Sequence, residues 1–172
     1  MELVGANCIL RPWLPRDAES FVKHANNHNI WLNMMERYPY PCTLEMAEEW
    51  LDDPKHQEKP YSSFAISIDG EAVGGMGYTP LTDIHRTTVR AGYWLAEPYW
   101  NQGIMTEAFR MMCDYIFAEL PEIHRIEAIV FEWNPSSCRV LEKCGFIQEA
   151  RMKKAGIKDG TIIDIFLYAR TR

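Results

Sequence analysis

Residues Tyr99–Ala108 read YWNQGIMTEA and follow the run Thr87–Ala96, TTVRAGYWLA. The run is strand-like and stops at Glu97-Pro98. A turn centred on Gly103 comes next. From Ile104 to Leu120 the pattern is an amphipathic helix, with Glu107, Arg110 and Asp114 on a polar stripe and Met105, Ala108, Met112 and Ile116 on an apolar one. Strand, glycine turn and helix start together make an anion-binding device. The first-turn N–H groups of a helix have no intrahelical partner, and the helix dipole favours negative charge there. The stretch therefore points to a phosphate-bearing ligand.

Outward from it, alternating strand and helix signals continue in both directions. Cys8–Trp13 reads as a first strand, and Pro15-Arg16-Asp17 opens a helix to about Asn27. Ile30–Pro41, IWLNMMERYPYP, is irregular and aromatic. Thr43 is placed as the N-cap of a helix ending at Leu51, and Asp52–Pro60 is a polar loop. Ser62–Ile68 and Ala72–Tyr78 flank Asp69-Gly70, a hairpin signal. Downstream, Arg125–Phe131 is rich in β-branched residues, as a buried central strand would be. Asn134-Pro135 suits an N-cap and first helical position, and Gly145 a helix C′ residue. Gly145–Lys153 and Thr161–Ala169 read as a final strand pair around Gly156–Gly160. The order β-α-α-β-β-β-α-β-α-β-β is that of a single α/β (α+β) domain, residues 1–172, with a mixed, largely antiparallel sheet.

Bulk properties narrow the function. Hydrophobic residues make up 47% and charged residues 24%, the balance of a soluble domain with a sizeable core. No apolar run reaches membrane-spanning length and no signal peptide is evident, so the expected location is cytoplasmic, with no membrane partner. The net charge of −6 argues against a nucleic-acid partner and suits an amine-bearing one. Five cysteines without a C-x-x-C pair indicate neither a disulfide framework nor a zinc site. His24 and His28 share a helical face, but no third ligand is in view, so no metal is expected.

Three segments carry a resemblance. Gly92–Ala108, GYWLAEPYWNQGIMTEA, and Asn134–Phe146, NPSSCRVLEKCGF, resemble motifs of the GNAT superfamily of acetyl-CoA-dependent N-acetyltransferases. The second is similar to the N-x-x-S-x-x-V-L-E-K-x-G-F pattern of the ribosomal-protein-alanine N-acetyltransferase branch, and LRPWLPRDAE is similar to the family's opening strand and helix. The likeness covers essentially the whole chain. It implies a three-layer fold with a seven-stranded sheet splayed between its fourth and fifth strands, and about four helices.

The resemblance also implies site roles. Acetyl-CoA is the co-substrate. The backbone near Trp94 and Leu95 orients its thioester, and the amides of Gln102, Gly103, Ile104, Met105 and Thr106 hold its pyrophosphate. Asn134 bonds the pantetheine arm, or is a plain N-cap. Ser137 assists the departing sulfur, or bonds its own helix. Two positions depart from the superfamily signature: Trp100 stands for Gln or Arg, and Met105 for Gly or Ala. Leu141 stands where many members carry Tyr. Arg90 stands where the branch often carries Glu, which leaves the base open, with Glu36, His85 and Glu132 as alternatives. Cys138 is expected to pack rather than react.

The reaction implied is direct transfer of acetyl to a primary amine in a ternary complex. An α-amine has a pKa near 8, so its neutral form costs about 1 kcal/mol at pH 7; a lysine costs about 4–5 kcal/mol. A weak base therefore favours a protein N-terminus. A small-molecule amine and a non-catalytic acyl-CoA-binding module are the alternatives. Trp31, Met35, Glu36, Tyr38 and Tyr40, with Met34, are expected to line the acceptor pocket, or else to pack the helices. A homodimer stays open.

Overall fold

The computed structural model describes residues Met1–Arg172. Its strands are β1 (Leu3–Val4), β2 (Ile9–Arg11), β3 (Ser63–Ile68), β4 (Glu71–Pro80), β5 (Thr88–Leu95), β6 (Arg125–Phe131), β7 (Ile147–Lys158) and β8 (Thr161–Thr171). Its helices are α1 (Ala18–Ala25), α2 (His28–Trp31), α3 (Leu44–Leu51), α4 (Ile104–Glu119) and α5 (Pro135–Lys143). The strands form one sheet in the order β1-β2-β3-β4-β5-β6-β8-β7. Every neighbouring pair is antiparallel except β5 and β6. No helix is long and apolar enough to cross a membrane.

Three expectations need correcting. The sheet has eight strands rather than seven, because Leu3–Val4 pairs with Leu10 and Ile9. Two residues carry no readable alternation. There are five helices rather than about four; the extra one is α2, a single turn whose N-cap, Asn27, accepts from the amides of Asn29 and Ile30. The last hairpin turns at Asp159-Gly160, with φ of 48° and 71°, and β7 runs on to Lys158. Its register breaks between Met152 and Gly156, where the Lys154 amide bonds the Asp164 carboxylate at 2.8 Å. That irregular stretch hides the strand's continuation from a pattern of period two.

Helices cover both faces. Phe109, Met112 and Ile116 of α4 and Leu141 of α5 pack on Ile66, Val73, Val89, Ile126 and Val130. Phe21 and Ala25 of α1 and Ala47 and Leu51 of α3 pack on Trp13, Ala65, Ala72 and Trp94. Burying one such large apolar side chain contributes about 1.5–3 kcal/mol, so both layers are firmly set. Strand alternation divides β5 between them: Val89, Ala91 and Leu95 enter the α4 side, Trp94 the α1 side.

The feature that positions a site is the parallel pair. β5 and β6 are in register only at Thr88↔Arg125, Val89↔Ile126 and Arg90↔Glu127. Beyond Arg90, β5 keeps only β4, ending at Gly74↔Leu95, and β6 keeps only β8, ending at Phe131↔Ile165. The sheet opens there into a wedge. This is the expected splay, shifted by one in numbering because of β1. Side chains clasp the point of parting. Arg90 Nε and Nη2 reach Glu127 Oε1 at 2.9 and 2.6 Å, and Arg125 Nε lies 3.5 Å from Glu127 Oε2.

Candidate active site

The turn after β5 is built by local hydrogen bonds. A 3₁₀ turn, Glu97–Tyr99, ends the strand. The Trp100 ring N–H then donates to Leu95 O at 2.7 Å, and Gln102 Nε2 to Pro98 O at 2.8 Å. Trp100, out of place in the superfamily signature, thus ties the turn to the strand end. Gly103 has φ of 80°, the left-handed region, and a Cβ there would meet no protein atom. Conformation, not crowding, demands glycine at this position.

α4 begins with its donors free. Glu107 is the first residue to bond back, to Gly103 O at 3.1 Å. The amides of Gln102, Gly103, Ile104, Met105 and Thr106 have no partner in the protein. Five unpaired N–H groups therefore gather in one turn, where the dipole of a 16-residue helix adds positive potential. They directly follow the end of β5, at the mouth of the wedge.

The other wall ends in α5. Asn134 Oδ1 accepts the Ser137 amide at 3.1 Å, so Asn134 is the N-cap. The N-cap reading is thus met by Oδ1, and Nδ2 makes no hydrogen bond within the protein. Ser137 Oγ lies 2.7 Å from the hydroxyl of Tyr93, which also reaches Ser137 O at 3.3 Å. Tyr93 projects from β5 and Ser137 from α5, so this contact spans the wedge. Burial pushes the Tyr93 phenol well above its ordinary range, against a smaller opposing effect of the Ser137 hydrogen bond. Sequence reading passed over Tyr93. The signal was present: it shares a strand face with Ala91 and Leu95, two residues from a named site position.

Trp94, expected to offer its backbone to the thioester, turns that backbone to β4 instead, with its carbonyl against Gly74. Its ring turns to the α1 side, 5.5 Å from Phe21 and 6.3 Å from Tyr38. The five expected acceptor residues fall into two groups. Tyr38 packs inward beside Trp94; its buried hydroxyl has no partner, and burial raises its pKa strongly. Trp31 and Tyr40 stack on each other at 5.4 Å, farther out, with His28 against both. Glu36 is exposed beside them, 3.6 Å from Lys158 Nζ, and Met35 is exposed too. Lys158, at the tip of the last hairpin, was also missed. It is 1% exposed, and its ammonium sits 3.7 Å over the Trp31 ring.

The alternative bases have other places. His85 lies in the turn before β5, at the end of the strand opposite the wedge. Glu132 accepts the Asp164 amide at 2.9 Å and faces Arg151 at 3.5 Å, a structural role. Arg90 is committed to Glu127. His24 bonds Glu71 at 2.9 Å while His28 joins the aromatic group, so the two rings do not converge. Cys138 packs against the α4-side core, and all five cysteines are free thiols.

Comparison with known proteins agrees with this architecture. Residues 7–147 match the family described as "Acetyltransferase (GNAT) domain". The chain is 30% identical to YdaF of Bacillus subtilis, a putative ribosomal N-acetyltransferase, over 96% of this chain and 92% of that protein. It is 39% identical to YjcK of Bacillus subtilis, a probable N-acetyltransferase, over 58% of this chain but 54% of YjcK, so it spans about half of that relative's length. With the ribosomal-protein-serine acetyltransferase of Escherichia coli it shares 30% identity over 67% of this chain and 63% of that one. The solved structure of Mycobacterium smegmatis RimJ in complex with CoA-disulfide superposes with a TM-score of 0.82 at 29% identity, covering 95% and 81% of the two chains. A wedge between two parallel strands, a glycine turn with free amides and a matching profile over residues 7–147 agree, and the chain belongs to the GNAT family of N-acetyltransferases.

Proposed function

We propose that this chain transfers acetyl from acetyl-CoA to the α-amine of a protein N-terminus. The observation that carries the donor assignment is the set of five unpaired amides from Gln102 to Thr106, on the turn that follows the splayed strand. These groups fit a pyrophosphate. Acetyl-CoA would supply the activated acyl group, and this chain's residues hold and orient it. The Leu95 amide, on the edge of β5 that faces the wedge, and the Nδ2 of Asn134 fit the carbonyls of a pantetheine arm; the Leu95 carbonyl is already held by the Trp100 ring. Ser137, whose hydroxyl meets Tyr93 across the wedge, is the residue we assign to donate a hydrogen bond to the leaving sulfur.

The acceptor class follows from what the site lacks. Glu127 is ion-paired, Glu132 holds the last hairpin and Glu36 faces Lys158. None of these three carboxylates stands free beside the wedge. An α-amine needs only about 1 kcal/mol to be neutral at pH 7, against about 4–5 kcal/mol for lysine. Relatives named for ribosomal-protein acetylation are in keeping with this choice.

Thiol release from acetyl-CoA on matched peptides tests it. One peptide carries a free N-terminal Ser or Ala and no lysine; the other is N-terminally blocked with one internal lysine. A preference for the first of about 300-fold is expected, from the difference in amine pKa. Equal rates, or preference for lysine, would overturn the acceptor assignment. CoA binding without turnover on any amine would overturn the activity.

A further inference from the structure

We propose that Tyr93 is a positioning residue for acyl transfer: its hydroxyl holds the Ser137 hydroxyl toward the leaving sulfur. This deepens the function proposed above and rests on its assignment of Ser137. The geometry is unusual for a serine in the first turn of a helix, which ordinarily bonds its own backbone. Here Asn134 occupies the Ser137 amide, and the Ser137 Oγ is drawn out to Tyr93 at 2.7 Å, on the opposite wall. The Tyr93 ring is fixed edge-on to Phe109, with centroids 4.9 Å apart. Leu141, further along α5, is fully buried in the core and offers no hydroxyl.

Counting protons defines the role. Tyr93 has one proton and two acceptors, Ser137 Oγ at 2.7 Å and Ser137 O at 3.3 Å. When Ser137 turns its own proton to the sulfur, its oxygen becomes the acceptor for Tyr93. In the reaction the amine nitrogen bonds the acetyl carbon, the C–S bond breaks and the electron pair stays on sulfur. The nitrogen loses a proton and the sulfur gains one from Ser137, whose own loss is made good by the proton released from nitrogen. Tyr93 keeps its proton throughout, as a buried phenol must. It therefore aims the serine and does not act as an acid itself.

Tyr93→Phe keeps the ring and removes only the hydroxyl. We expect kcat to fall about tenfold, the value of one hydrogen bond, with the KM for acetyl-CoA and the Kd for CoA unchanged within about twofold. The double variant Tyr93→Phe/Ser137→Ala should be no slower than Ser137→Ala alone, since both changes remove one unit. Unchanged kcat in Tyr93→Phe, alongside an impaired Ser137→Ala, would overturn the role of Tyr93 alone. Multiplied penalties in the double variant, or loss of CoA affinity in Tyr93→Phe, would show a merely structural tyrosine. Normal turnover in Ser137→Ala would overturn the serine assignment and the positioning role with it.

Discussion

The two sides of the wedge are built from different materials. On the donor side, the unpaired groups are backbone amides, Gln102 to Thr106. The side chains around them are largely tied down: Trp100 to Leu95, Gln102 to Pro98, Ser137 to Tyr93. On the side proposed for the acceptor the unpaired groups are side chains. Asn33 Oδ1, Tyr38 Oη and Lys158 Nζ are buried without hydrogen bonds. Backbone amides survive almost any substitution, so a turn built from them can keep one ligand while sequence drifts. Side chains cannot. The difference fits a donor common to a family and an acceptor particular to each member, and variants on each side should fail in different ways.

The largest expected effect is on chemistry at the junction of the two sides. Ser137→Ala should lower kcat about 100-fold, the low end for a proton donor. A thiol has a pKa near 8.5, so sulfur can depart as thiolate at modest cost, about 2 kcal/mol at pH 7. The loss should be the same for every accepted amine, and CoA affinity by calorimetry should stay within about twofold. A loss that varied with the acceptor would place Ser137 on the acceptor side instead.

A smaller effect should separate donor from acceptor. Gly103→Val forces a β-branched residue to φ of 80°. The strain of about 1–2 kcal/mol pulls the turn out of shape. CoA should bind about 5–30-fold more weakly by calorimetry, while the ratio of rates between two acceptor peptides stays constant. A changed ratio would show that the turn also reads the acceptor.

How much of this was legible follows the same division. β5, the glycine turn and α4 form one continuous stretch, where a change of period from two to 3.6 marks the junction and Gly103 marks the turn. The splay was available only by resemblance, because a sequence pattern carries no register between β5 and β6. Tyr93 with Ser137 joins residues 44 apart in the chain. Lys158 with Trp31 joins the last hairpin to the first loop. Such pairs leave no local trace. Ile30–Pro41 stands out for its aromatic and Met-rich content, and content could not say that Tyr38 turns inward while Trp31 and Tyr40 stack outside.

The smallest effect tests the acceptor side by itself. Lys158 lies over Trp31 and 3.6 Å from Glu36, and so fastens the last hairpin to the loop that leads to Tyr38. A cation over an indole contributes about 0.5–2 kcal/mol, more when desolvated. Lys158→Met keeps the aliphatic length and removes the charge. Global stability should change little, since a buried charge carries a desolvation cost that offsets its contacts. The acceptor KM should rise about threefold as the loop loosens, with the KM for acetyl-CoA fixed. The Glu36→Gln variant should move the same way by less, because Glu36 is exposed and its pairing is screened by solvent. If instead the KM for acetyl-CoA rose and the acceptor KM held, the hairpin–loop contact would belong to the donor side, and the division drawn above would be in the wrong place.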